Sequence, residues 1–318
     1  MTCAFAHHPA AGIVRTSSPA PIGASHAGGM GELHTTTTSS GRSLAWAEHG
    51  DPGGVPTVFL HGTPGSRVGQ MMNDDLYRRL GLRMISPDRA GAGRSDRLPG
   101  RSVADSVGDI LTILDVLGVP QAIVIGGSGG GPHALAVGAL APDRTLAIGA
   151  LVGAAPLTSD EVAGQVDINR DIHGLLGDED ALHAKITEAA EVILGGGLEA
   201  LIADAPESDK QLWRERAAPM HHAVSTAIER GVVGWADDYL ALWAKPWGFE
   251  AWDVSVPVVW AHGTADRNVP LTAARRYAAG LPDCTFIEWA DLGHAPGPHE
   301  LAEITAAVLA RGLRTRLL

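Results

Sequence analysis

One serine is enclosed by five glycines in Ala122-Ile-Val-Ile-Gly-Gly-Ser-Gly-Gly-Gly-Pro132. The run Ala122 to Ile125 predicts a central strand with both faces covered. Pro132 suits the first turn of a following helix, where its missing N–H costs nothing. Ser128 therefore falls on a strand-to-helix turn too tight for side chains at Gly126 and Gly130. Such a turn holds its hydroxyl above the sheet edge in strained backbone geometry. It also aims a helix N-terminus at whatever charge develops there. The chemistry on offer is nucleophilic attack by a hydroxyl, which needs a base to take its proton and a third group to orient that base.

Fourteen histidines compete for the role of base. His294 stands apart because Ala290-Asp-Leu-Gly-His-Ala295 is a loop just after the last strand, on the side of the sheet where Ser128 emerges. His299 is the weaker competitor and is expected to start the final helix. The orienting carboxylate should leave the preceding strand at the same edge. In His262-Gly-Thr-Ala-Asp-Arg-Asn-Val-Pro270 that position belongs to Asp266. Asp160 and Glu161 are the competing acids, but the loop around them has no comparable turn. The chain order serine, acid, histidine is that of one particular fold. A developing oxyanion also needs backbone donors, and losing one typically costs about 10²–10³ in rate. Gly129 N–H, next to the nucleophile, is one candidate, and Thr63 N–H in His61-Gly62-Thr63 is the other. His61 reads as a structural residue of that loop.

The elements that must position these residues follow from the apolar pattern. Glu32–Thr38 and Ser43–His49 predict a hairpin about Ser39-Ser40-Gly41. Thr57–Leu60, Arg83–Ser86, Ala122–Ile125, Leu146–Val152, Val256–His262 and Cys284–Trp289 predict short buried strands. Between them lie a helix capped by Ser102, with Val103, Val107, Ile110, Leu114 and Leu117 on one face, a helix after Ser128 to about Leu140, and Leu271–Leu281. Alternating strands and helices predict an α/β fold with a doubly wound, mostly parallel sheet. Only helical segments, among them Ala181–Leu194 and Met220–Arg230, are expected between Pro156 and Val256. That insertion holds Trp213, Trp235, Trp243, Trp247 and Trp252. These aromatics read first as its core, or else as the lining of a mostly apolar substrate pocket.

The expected organisation is thus a disordered tail over residues 1–30, a core over 31–155 and 253–318, and a helical cap over 156–252. The 318 residues carry 45% hydrophobic and 19% charged side chains, as a globular protein with ample core does. A net charge of −12 argues against nucleic acid and anionic membranes as partners. No apolar run reaches the ~20 residues of a membrane span, and the N-terminus lacks the order of a secretory signal. With two cysteines, a cytoplasmic location is the default. No cofactor or metal is expected. Gly129-Gly-Gly-Pro-His-Ala134 matches a dinucleotide fingerprint only formally, because Asp143 comes too early for a ribose partner. There is no Gly-Lys-Ser/Thr, and the histidines lack metal-ligand spacing.

Taken together, Gly126-Gly-Ser-Gly-Gly130, His61-Gly-Thr-Pro-Gly65, Asp88-Arg-Ala-Gly-Ala-Gly-Arg-Ser95, the Asp266 loop and Gly293-His294 resemble the α/β-hydrolase fold superfamily, from about Glu32 to the C-terminus. The resemblance implies an eight-stranded, largely parallel sheet with an inserted helical cap. It also implies Ser128 as nucleophile, His294 as base and Asp266 as orienter. The proline iminopeptidase-like sub-group usually carries tryptophan after the serine, and Gly129 departs from that. Haloalkane dehalogenases and epoxide hydrolases need a carboxylate where Ser128 stands.

The expected activity is a serine hydrolase cleaving an ester or related acyl bond of a small, largely apolar substrate. An amidase or aminopeptidase is the alternative, in which Glu207, Asp209, Asp237 or Asp238 would hold a free amine. A solvated helix face is the plainer expectation for those four. Cofactor-free haloperoxidases and carbon–carbon bond hydrolases share the same triad. A ligand-binding receptor with slow turnover is the non-enzymatic alternative. Oligomeric state is left open.

Overall fold

The structure, a computed structural model, describes Ala4–Phe5 and residues 31–69 and 74–315. Its strands are β1 (Ala4–Phe5), β2 (Leu33–Thr37), β3 (Ser43–Gly50), β4 (Val55–Leu60), β5 (Leu82–Pro87), β6 (Ala122–Gly127), β7 (Thr145–Leu151), β8 (Val258–Gly263) and β9 (Cys284–Trp289). They form one sheet in the order β1-β9-β8-β7-β6-β4-β5-β3-β2. β3 runs antiparallel to both neighbours, β2 and β5, while all other pairs are parallel. The eight strands expected from the sequence are β2 to β9. β1 adds two residues at the β9 edge, from the segment expected to be a disordered tail. The rest of that tail lies outside the described residues.

The core helices are α1 (Asp74–Arg79), α2 (Ser106–Val116), α3 (Gly130–Leu140), α11 (Leu271–Ala278) and α12 (Pro298–Thr315). Because side chains alternate across a strand, consecutive apolar residues face opposite layers. Val58, Val124, Ile148 and Trp260 pack with α2, α3 and α11 on one face. Phe59, Ile123, Ile125 and Val259 pack with Tyr77 of α1 and Leu301, Ile304 and Val308 of α12 on the other.

Between β7 and β8 lie α4 (Ser159–Ala163), α5 (Asp167–Gly174), α6 (Glu179–Leu194), α7 (Leu198–Leu201), α8 (Glu207–Glu215), α9 (Ala217–Ala227) and α10 (Val233–Tyr239). α10 runs straight into a wider π turn over Leu240–Ala244. The insertion has its own small core of Ile172, Leu182, Ile186, Ala189, Trp235 and Tyr239, with Trp243 packed against it. Its tryptophans therefore divide. Trp235 serves the insertion, Trp243 packs against both the insertion's core and the main core, Trp247 joins the main core, and Trp252 is 68% exposed.

Two local expectations need correction. Ser102 does not cap α2, which begins at Ser106. Its backbone N–H and hydroxyl instead donate to Asp105 Oδ2 at 2.7 and 2.8 Å, forming a separate turn that buries Val103 before the helix starts. α1 was not foreseen. At six residues it is too short for a periodic signal, and it is fixed by burial of Tyr77 and by Gly50 N–H donating to Asp74 Oδ1.

The direction in which the chain steps across the sheet reverses between β4 and β6. In open parallel sheets that reversal opens a crevice beyond the strands' carboxyl ends. Close backbone approach defines it here. A Cβ on Gly130 would lie 2.1 Å from Leu60 O at the end of β4. Gly130→Ala should therefore lower stability by about 1–3 kcal/mol through overpacking. Gly108→Ala, in α2 with open space around it, should raise it by about 0.5–1 kcal/mol. Urea unfolding midpoints moving in opposite directions would bear this out; a tolerated Gly130→Ala would contradict the close approach.

Candidate active site

Ser128 follows β6 with φ +52°, a left-handed conformation that a β-carbon makes costly. The surrounding chain holds it there. Ser128 N–H donates to Leu151 O at 2.9 Å, and Ser128 O accepts from Gly131 N–H and Ala154 N–H, both at 2.9 Å. A Cβ on Gly126 would lie 2.1 Å from Gly130 O, so the turn closes on itself only without one.

His294 and Asp266 come to this turn from the loops after β9 and β8. Ser128 Oγ lies 2.9 Å from His294 Nε2, and His294 Nδ1 lies 2.7 Å from Asp266 Oδ2. A carboxylate accepts and does not donate, so Nδ1 carries the hydrogen and a neutral ring leaves Nε2 to accept from the serine. Asp266 is fully enclosed, and its Oδ1 accepts Asn268 N–H at 2.8 Å and Val269 N–H at 2.9 Å. His262 stands behind it. Its Nδ1 accepts from Trp260 Nε1, so its Nε2–H faces Val269 O at 2.9 Å and Asp266 Oδ2 at 3.2 Å.

These contacts set the charge states. Burial works to raise the Asp266 carboxyl, but the His294 charge and the hydrogen bonds from His262 and His294 hold it well below the ordinary carboxylate range. Burial works to lower His294, and Asp266 with Asp209 more than offsets it, so the imidazole titrates above its ordinary value of 6.5.

The competitors lie elsewhere. Asp160 is exposed in α4, and Glu161 caps that helix while accepting from Thr272 and Arg276. The His299 side chain is 87% exposed. Thr63 and Gly129 lie together beside the serine: a Cβ on Gly129 would sit 2.6 Å from Thr63 Oγ1 and 3.2 Å from Leu242 Cδ1. One on Gly62 would be 3.2 Å from Ser128 Cβ. The π turn thus puts Leu242 into the space that a side chain after the serine would use. His61 ties the loop down, with Nδ1 donating to Gly62 O at 2.8 Å and Nε2 accepting Arg89 N–H at 3.1 Å. Burial first, then the Arg89 charge, lowers it to about 3, which keeps it neutral.

Of the four insertion carboxylates, Glu207 meets the expectation of a solvated face, while Asp209, Asp237 and Asp238 are buried. Glu207 is solvent-exposed and pairs with Lys210 and Arg214. Asp237 takes Arg97 in a bidentate pair at 2.6 and 2.9 Å. Asp238 is buried between Arg89 and Arg101 and accepts Thr63 Oγ1–H at 2.8 Å, while Arg89 Nη2 donates to the same hydroxyl at 2.9 Å. Burial opposes ionisation of Asp238, and the two guanidinium groups overcome it, holding the carboxyl well below its usual range. Asp209 accepts two backbone N–H groups of the His294 loop. Sequence reasoning missed these roles because buried and exposed acids on the insertion helices have the same spacing. The one signal was Arg89 inside the Asp88-Arg-Ala-Gly motif.

The fold and this arrangement define an α/β hydrolase. The chain belongs to that family, whose model, described as the alpha/beta hydrolase fold, matches residues 55–297. It is 27% identical over 269 residues to a non-heme chloroperoxidase of Streptomyces lividans, covering 82% of this chain and 93% of that one. It is 34% identical over 108 residues to a proline iminopeptidase of Neisseria gonorrhoeae, covering 32% of this chain and 33% of the other. Among solved structures, a carboxylesterase from Nitrososphaera gargenis superposes with a TM-score of 0.67 at 18% identity, over 88% of this chain and 99% of that one.

Removing one partner from a buried ion pair strands the remaining charge, at a cost of about 3–5 kcal/mol. Asp238→Asn should destabilise the protein by that amount in chemical denaturation, through Arg89 and Arg101. A loss below about 1 kcal/mol, the level of a surface pair, would show that these charges are not confined together.

Proposed function

We propose that this α/β hydrolase cleaves an ester or related acyl bond of a small, largely apolar substrate through an acyl-enzyme on Ser128. The observation that carries this reading is the continuous relay from Ser128 Oγ through His294 to Asp266, at 2.9 and 2.7 Å. Ser128 Oγ attacks the carbonyl carbon while its proton passes to His294 Nε2. Asp266 stabilises the imidazolium, and the backbone N–H groups of Thr63 and Gly129 bind the oxyanion. Collapse of the tetrahedral intermediate expels the alcohol, which takes the proton from His294. Water then attacks the acyl-enzyme with His294 again as base, releasing the acid and restoring the serine.

The surroundings favour an uncharged acyl substrate over an aminopeptidase substrate. Each of the four insertion carboxylates that could have held a free amine is already occupied: Glu207 and Asp237 by cations, Asp238 by two arginines, Asp209 by backbone. Leu242 of the π turn adds apolar surface beside the serine. A second reading, a cofactor-free haloperoxidase using the same triad, takes its support from the Streptomyces lividans relative.

Short-chain p-nitrophenyl esters test the proposal. A burst of p-nitrophenol, stoichiometric labelling by a fluorophosphonate, and a loss of at least about 10⁴-fold in kcat on Ser128→Ala are expected. The base must be neutral to accept a proton, so kcat/KM should rise with pH through a limb above 6.5, where His294 titrates. Ester cleavage surviving Ser128→Ala would overturn the nucleophile. Peroxide-dependent halogenation with no ester turnover would favour the second reading.

A further inference from the structure

Asp209 lies in the first turn of α8, in the insertion, yet its carboxylate is spent on the loop that carries His294. Oδ2 accepts His294 N–H and Oδ1 accepts Ala295 N–H, both at 2.8 Å. The residue is 0% exposed. Room for it depends on the residue before the histidine, since a Cβ on Gly293 would lie 2.3 Å from Asp209 Oδ2. Among the described residues no lysine or arginine forms an ion pair with this carboxylate, unlike Asp237 and Asp238 nearby in the insertion.

A buried anion held only by two amide hydrogens is expensive, and two neutral acceptors would serve those amides at lower cost. What the charge adds is its proximity to His294. The groups on that imidazole are the Ser128 hydroxyl from the elbow at Nε2 and Asp266 from the loop after β8 at Nδ1, with His262 behind the acid, while Asp209 from α8 bonds the backbone N–H of the same residue.

We infer that Asp209 is a positioning residue for the base: from the insertion it fixes the backbone of His294 opposite Ser128 and supplies a second negative charge to the imidazolium. This rests on the serine-hydrolase reading only for its kinetic consequence. The electrostatics agree in direction. Burial raises Asp209 against the pull of the two N–H groups, and Asp209 adds to Asp266 in raising His294. The acid of the triad touches the ring, and this one touches the chain on which the ring is mounted.

Asp209→Asn tests it in the full-length protein. The carboxamide keeps the shape but offers one acceptor and one NH₂, which would face an amide N–H it cannot satisfy. Expected are a fall of about 10- to 100-fold in kcat with KM little changed, and an acidic limb of kcat/KM displaced to lower pH. Gly293→Ala, which crowds the carboxylate off the amides without removing the charge, should lower kcat while displacing the limb less. His294 titration by NMR gives a readout independent of turnover, and its pKa should fall in Asp209→Asn. An unchanged His294 titration and limb in Asp209→Asn would overturn the inference, as would a kcat loss no larger than the fraction of protein unfolded. Failure of the wild-type protein to show any Ser128-dependent turnover would instead count against the proposed function, and the NMR comparison would still decide the role of Asp209.

Discussion

Two buried carboxylates hold one histidine, Asp266 by its ring and Asp209 by its backbone, and much of the surrounding architecture stabilises that arrangement. A carboxylate removed from water must recover hydrogen bonds or it takes up a proton. Asp266 recovers them from two backbone amides of its own loop, from His294 and from His262. His262 can serve because Trp260, on the same strand, donates to its Nδ1 and so sets the tautomer that faces the acid. The constraint runs from a core tryptophan to the proton on a ring nitrogen. Each partner in that line is fixed by packing before any substrate arrives.

The sheet and the insertion divide the work. Loops after β4, β6, β8 and β9 bring Thr63, Ser128, Asp266 and His294 to one edge, and the insertion reaches each of those loops from above. Asp238 and Arg89 lock the Thr63 hydroxyl, Gln165 Nε2 donates to Asn268 O beside the acid, and Asp209 grips the His294 backbone. Leu242 fills the space against Gly129. The insertion is thus bonded to the site rather than laid over it. A change in its helices would be felt as a shift of Thr63, Ser128, Asp266 and His294, and under the proposed serine-hydrolase function displacements of about 1 Å can cost 10²-fold in rate.

How legible this was in the sequence depended on how local each signal is. The elbow is written in consecutive residues, because a Cβ on Gly126 or Gly130 would come within 2.1 Å of a backbone oxygen and no other residue type fits. The strands were legible because both faces are covered, giving unbroken apolar runs from Ala122 to Ile125 and from Leu146 to Val152. His294 and Asp266 could be singled out because parallel topology fixes which loop ends share an edge. The insertion resisted. Glu207 and Asp209 are two residues apart in the same first turn, yet one is exposed and the other buried, and no periodicity separates them. The pairing of Arg101 with Asp238 spans 137 positions and exists only once the helices are docked. Short α1 and the turn before α2 escaped for the related reason that single contacts, Tyr77 and Asp105, decide them.

A crystal structure of the protein after reaction with a fluorophosphonate would measure the convergence most directly. Phosphorus is expected on Ser128 Oγ, with the phosphoryl oxygen within hydrogen-bond distance of Thr63 N–H and Gly129 N–H and with Asp209 still on the amides of His294 and Ala295. An unreacted Ser128, or a phosphoryl oxygen turned away from both amides, would contradict the account.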